Sequence, residues 1–182
     1  MASPSKEENM LELLFNHSPL RQWHFEEMVR MTGMTRAAAN KWLNRYIKQG
    51  LIKRIKKRGK FPYFTAGSHN PVYQSRKRLY LLSKLHESGL VDHLLGLKAK
   101  TIMIFGSVAR GDWYKDSDID IFMLGSSEGF EKIRFEKALS REIEVQTCKN
   151  RQEIRKIRSG LMENVINGYL IKGRIQDLVE VR

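Results

Sequence analysis

The sequence predicts an α/β (α+β) chain in two parts, and three observations carry that reading. Helical-period apolar stripes recur over residues 9–50 and then give way to a hairpin pattern over 51–67. Further along, the short runs KTIMIF and DIDIFML, rich in branched residues, read as strands set between helical segments. Charge is also segregated: residues 1–100 hold 19 Lys/Arg against 7 Asp/Glu, whereas residues 101–182 hold 14 against 13. That asymmetry points to a polyanion-binding part joined to a part with another task.

The 182 residues suffice for two small domains, each with a modest core. Cys148 is the only cysteine, which excludes an intrachain disulfide and a cysteine-based zinc site. No apolar run approaches the roughly 18 residues of a membrane helix. The start, MASPSKEENM, carries acids and lacks the apolar centre of a secretory signal. A reducing, cytoplasmic setting without a membrane is therefore expected.

Taken in order, NMLELLFNHSP (9–19) reads as a helix stopped near Pro19. WHFEEMVRMTG (23–33) places Phe25, Met28 and Val29 at helical spacing and ends at Gly33. TRAAANKWLNRYIKQG (35–50) opens on Thr35 as N-cap, with Ala39, Trp42, Leu43, Tyr46 and Ile47 as its apolar stripe and Gly50 as its stop. LIKRIKKRGKFPYFTAG (51–67) alternates through Ile52, Ile55, Phe61, Tyr63 and Phe64 around a turn at Gly59, which predicts a hairpin with a lysine-rich tip. Residues 36–60 carry ten basic side chains and no acid: Arg36, Lys41, Arg45, Lys48, Lys53, Arg54, Lys56, Lys57, Arg58 and Lys60.

The order helix, helix, turn, helix, ribbon over residues 8–66 resembles the winged helix-turn-helix family. The stretch WLNRYIKQGLIKRIKKRGKFPYF is similar to that family's recognition helix running into its wing. The resemblance implies a nucleic-acid partner, double-stranded DNA first, with the ten basic residues as phosphate-binding candidates. Winged helices also serve as protein-protein modules; the ten-to-zero charge count favours nucleic acid. A homodimer is compatible with such a domain, because paired half-sites are common.

AGSHNP (66–71) breaks the pattern and marks a boundary. The expected organisation is 1–67, a helical connector over 68–98, and a catalytic domain over 99–182. In the connector, Val72, Leu79, Leu82 and Leu85 are expected along one helical face, followed by a short helix over 90–97.

The chemistry concentrates in FGSVARGDWYKDSDIDI (105–121), where four aspartates fall between Asp112 and Asp120. KTIMIF ends at Gly106-Ser107, and a helix beginning there offers N–H groups suited to a phosphate. Asp112 and Asp116 read as cap and turn residues. On a strand, Asp118 and Asp120 share a face, with Ile119, Ile121 and Met123 on the other. Two carboxylates so placed resist joint ionisation without a cation, and magnesium accepts carboxylates together with phosphate oxygens. Lys115 and Arg110 are the side chains that could otherwise answer this charge.

The pattern GSxxRGxxxxxSDxD, met by Gly106, Ser107, Arg110, Gly111, Ser117, Asp118 and Asp120, resembles the nucleotidyltransferase superfamily that includes DNA polymerase beta. More narrowly it looks like the minimal nucleotidyltransferases, small prokaryotic domains. The resemblance implies a small mixed sheet, an NTP substrate (ATP first) and two Mg²⁺. Gly106 and Ser107, with Arg110 and Ser117, would hold nucleotide phosphates, and Asp118 and Asp120 would bind metal. A third carboxylate is implied on a later strand, read as REIEVQTCK (141–149) after a helix over 130–140. Glu144 is the choice, between Ile143 and Val145, with Glu142 as alternative. The transfer implied is of a nucleoside monophosphate to an acceptor, which could be a protein. The competing reading is a DNA-binding regulator whose nucleotidyltransferase domain only senses nucleotide. The closing segment over 151–182 is expected to give one or two helices and a terminal strand.

Overall fold

The computed structural model describes residues 6–179. It divides into two compact units, Met1–Lys77 and Arg78–Arg182.

In the first unit, α1 (Lys6–Phe15), α2 (Phe25–Thr32) and α3 (Arg36–Lys48) pack ahead of an antiparallel hairpin, β1 (Ile52–Ile55) and β2 (Tyr63–Ala66). The Thr35 hydroxyl accepts the Ala38 N–H at 3.3 Å, so the predicted cap starts α3. Met10, Leu14, Phe15, Trp23, Met28, Leu43, Tyr46, Leu51 and Ile52 form the buried interior. Trp23 adds a bridge that periodicity did not reveal: its N–H and C=O exchange two 2.8 Å hydrogen bonds with Phe64. This ties the segment before α2 to the hairpin. Two features differ from the sequence reading. Phe61 is 85% exposed and lies in the β1–β2 loop rather than on a strand, since pairing begins at Ile55–Tyr63. Trp42 is only partly buried, whereas Tyr46 is fully so.

A long helix, α4 (Pro71–Glu87), and α5 (Leu90–Gly96) follow. The expected apolar face of α4 needs correction. Val72 and Leu79 are exposed, and the buried positions are Tyr73, Lys77, Leu81 and Leu85, a strict four-residue spacing. The apolar count favoured the wrong stripe because a lysine and a tyrosine occupy the right one. Lys77 is buried along its whole length, 2% exposed.

The second unit is built on a mixed sheet in the order β5-β4-β3-β6. Its elements are β3 (Thr101–Phe105), α6 (Gly106–Arg110), β4 (Ile119–Leu124), α7 (Lys132–Leu139), β5 (Ile143–Cys148), α8 (Arg151–Ile154), α9 (Ser159–Ile166) and β6 (Tyr169–Lys172). β3 pairs antiparallel with β4 and β6, and β4 pairs parallel with β5, so α7 is the crossover that parallel pairing requires. All five residues of β3 are buried, as a run without alternation demands of a strand covered on both faces. On one face Met103, Phe105, Phe122, Leu124 and Cys148 pack with Ile154, Val165 and Leu178. Gly168 lets the chain re-enter the sheet as β6, because a Cβ there would lie 2.5 Å from the Ile104 carbonyl oxygen. Strand alternation places Asp120 on the same face as Phe122 and Leu124, at the end where that core runs out. Among the described residues, no helix is long and apolar enough to cross a membrane.

Candidate active site

The chain leaves β3 at Phe105, whose register partner is Asp120, and turns at once through Gly106 into α6. Gly106 has φ +72°, and a Cβ on it would stand 1.9 Å from Asp120 Oδ2. Only glycine lets this turn close on the carboxylate. α6 ends after one turn, with the Gly111 and Asp112 N–H groups both donating to the Ser107 carbonyl at 2.9 and 3.2 Å.

Asp118 stands immediately before β4, one position short of the expected strand. In the parallel ladder Asp120 is paired with Glu144, and Ile121 with Val145. Glu142 lies ahead of β5, and its backbone carbonyl accepts the Ile119 N–H at 2.9 Å. Asp120 is partly buried, and its carboxyl is held above the ordinary aspartate range. Burial is the largest cause, followed by the charges of Glu144 and Asp118, while Arg110 opposes them. Arg110 itself is exposed and ion-paired to Asp112 at 3.1 Å. Arg110 thus offsets only part of the shift at Asp120.

Ser117 closes a tight turn: its hydroxyl accepts the Tyr114 N–H at 2.8 Å, and its own N–H donates to the Tyr114 carbonyl at 3.1 Å. Asp116 falls within this turn region and Asp112 directly after the α6 stop, as expected. The structure also brings in residues that the motif did not mark. Arg141 donates to the carbonyls of Tyr114 and Ser117, the latter at 2.8 Å, and lies 4.9 Å over the ring of Trp113. Burial lowers the pKa of this guanidinium. Trp113 is fully buried and stacks on Tyr80 at 6.3 Å. Arg78 donates twice, at 3.1 and 2.8 Å, to the carbonyl of Arg110. These partners lie 24 to 32 positions from the carbonyls they bind, beyond the reach of a local pattern.

The carboxylate set suits a hard divalent cation. All its donors are oxygen, and magnesium uses one or two carboxylates plus substrate phosphates rather than a closed protein cage. Among the described residues no three His, Cys, Asp or Glu side chains are gathered as a metal cluster.

In the first unit all ten basic residues over 36–60 are exposed. Arg36 pairs with Glu26 at 2.7 Å, and Arg45 lies 5.0 Å over Trp42. Arg36, Lys41, Arg45 and Lys48 project from α3, Lys53 and Arg54 from β1, and the other four basic residues lie in the β1–β2 loop. An open cleft of about 340 Å³ runs along α3 and the hairpin, lined by Asn40, Asn44 and Arg54 above a floor of Leu43 and Phe64.

Residues 96–177 match the family model described as "Polymerase beta, Nucleotidyltransferase". Part of the second unit is thus similar to a nucleotidyltransferase domain, and the match suggests nucleotidyl transfer as its general chemistry. No curated protein and no solved structure matches the chain.

Proposed function

We propose that the chain is a Mg²⁺-dependent nucleotidyltransferase that moves AMP from ATP to an acceptor hydroxyl or phosphate. The observation that carries this reading is the closure of Gly106 on Asp120, with Glu144 in register beside it and Asp118 two positions upstream. Gly106 and Ser107 would hold the triphosphate, with Arg110 and Ser117 nearby. The acceptor oxygen forms a bond to the α-phosphorus, the bond to the bridging oxygen breaks, and pyrophosphate leaves. Glu144, exposed on an edge strand, would take the acceptor's proton. Asp118, Asp120 and Glu144 would hold two Mg²⁺, which when bound supply charge neutralisation at the phosphoryl oxygens. Backbone N–H groups of the Gly106-Ser107 turn stabilise charge developing on the transferred group.

The first domain, over 1–67, is proposed to be a winged helix-turn-helix that binds double-stranded DNA. Ten exposed basic side chains on one helix and one hairpin support it. A cytoplasmic setting goes with both halves, and so does a protein acceptor bound elsewhere. One observation favours the regulatory alternative, in which nucleotide is sensed and not turned over: among the described residues the carboxylates are not gathered into a metal cluster.

The deciding experiment is ATP binding by calorimetry with and without Mg²⁺, on the wild type and on Asp118→Asn/Asp120→Asn. Mg²⁺-dependent binding lost in the variant supports the site, and label transfer to an acceptor then separates enzyme from sensor. An absence of NTP binding with Mg²⁺ or Mn²⁺ refutes the enzyme reading.

A further inference from the structure

We infer that Arg141, which lies outside the GSxxRGxxxxxSDxD pattern, is the positioning residue that sets Asp118 relative to Asp120 and Glu144; this rests on the metal-site reading above. The sheet ladder already fixes two of the three carboxylates, since Asp120 and Glu144 are paired in β4 and β5. Asp118 lies just ahead of β4, and the pairing begins only at Ile119, whose N–H donates to the Glu142 carbonyl. Nothing in the ladder holds Asp118, and its charge is repelled by that of Asp120.

Arg141 supplies the missing restraint. Its guanidinium donates to the carbonyl of Ser117, the residue before Asp118, at 2.8 Å, and to that of Tyr114 at the start of the same turn. Its plane lies over Trp113, which is itself fixed by burial and by Tyr80. Arg141 also sits two positions before β5, the strand of Glu144. One side chain therefore ties the loop that delivers Asp118 to the strand that delivers Glu144. Both bonds come from the one nitrogen Nη1, so a single guanidinium end joins the two ends of the turn.

The test uses the full chain, with Mn²⁺ as probe, in four forms: wild type, Arg141→Ala, Asp118→Asn and the double variant. Calorimetric titration should show Arg141→Ala binding Mn²⁺ about tenfold more weakly, the usual scale for losing a residue that orients a ligand. In the Asp118→Asn background the same substitution should change affinity less than about twofold, because Arg141 acts through Asp118. Hydrogen exchange of peptides covering 111–119, without metal, should be faster in Arg141→Ala. Wild-type Mn²⁺ affinity in Arg141→Ala, an equal loss in both backgrounds, or unchanged exchange of that loop would each overturn the inference. If Arg141→Ala does not fold, Arg141→Met takes its place in the same comparisons. A wild type that binds no Mn²⁺ refutes the metal reading itself and removes this inference with it, a result distinct from wild-type binding that Arg141 does not affect.

Discussion

Replacing Asp120 by asparagine should stabilise the metal-free protein at neutral pH. The Asp120 carboxyl is raised above its ordinary value by burial, Glu144 and Asp118. A raised carboxyl contributes stability that is fully present below the unfolded pKa, near 3.8, and lost as pH rises through the folded value. At pH 7.5 the wild type therefore carries the cost of the charge, and the variant does not. Like charges on directly opposed strand positions cost up to about 1 kcal/mol, so the Glu144 and Asp118 repulsions together amount to on the order of 1 kcal/mol after allowance for solvent exposure. For a unit of this size that corresponds to a Tm increase of about 4 °C. Calorimetric melts in EDTA at pH 7.5 and pH 4 test it, with a gain at the higher pH that shrinks at the lower. Mg²⁺ should then raise the wild-type Tm and leave the variant's unchanged. An Asp120→Asn variant that melts lower than wild type at both pH values would refute the argument, because the carboxylate would then be a structural hydrogen-bond acceptor.

Asp177 should behave in the opposite way. Lys100 at 2.8 Å and the Thr101 hydroxyl at 3.1 Å hold its carboxyl below the ordinary range, so its contribution is present above the unfolded pKa and lost as pH falls through the folded one. Urea melts should show Asp177→Asn destabilised at pH 7 and close to wild type once both carboxyls are protonated. Gly106→Ala should destabilise by more than about 1 kcal/mol, since it meets a positive φ as well as the Asp120 carboxylate, and Asp120→Ala in the same chain should recover part of that loss in thermal melts. Phe122→Ala should cost about 3–5 kcal/mol in urea unfolding, because the ring is fully buried in the α8–α9 side of the sheet. For duplex DNA, log affinity should fall linearly with log salt, and Lys41→Ala and Lys57→Ala should each reduce that slope by about one. A flat salt response would speak against a phosphate-binding surface.

Local pattern made much of the fold readable in advance. The Thr35 cap, the Gly33 stop and the paired strands of the hairpin follow from residue-level preferences that act within one turn or one register. The Gly106-Ser107 turn was legible for a related reason: it is a short-range requirement for close approach. The failures share the opposite cause. On α4 the apolar stripe Val72–Leu79 looked like the packed face, yet the face that is buried carries Tyr73 and Lys77. Hydrophobicity alone cannot rank an amphipathic lysine stem against a valine.

By itself the sequence determined the order of elements and the segregation of charge, because each is written within a few neighbouring residues. Tertiary structure decided which glutamate meets Asp120, through a parallel register between strands more than twenty residues apart. It also decided that Arg141 and Arg78 close on the loops around the site, by way of hydrogen bonds to backbone carbonyls. Carbonyls are present at every position and leave no signature in side-chain pattern. Partners recruited through them become visible only once the chain is folded.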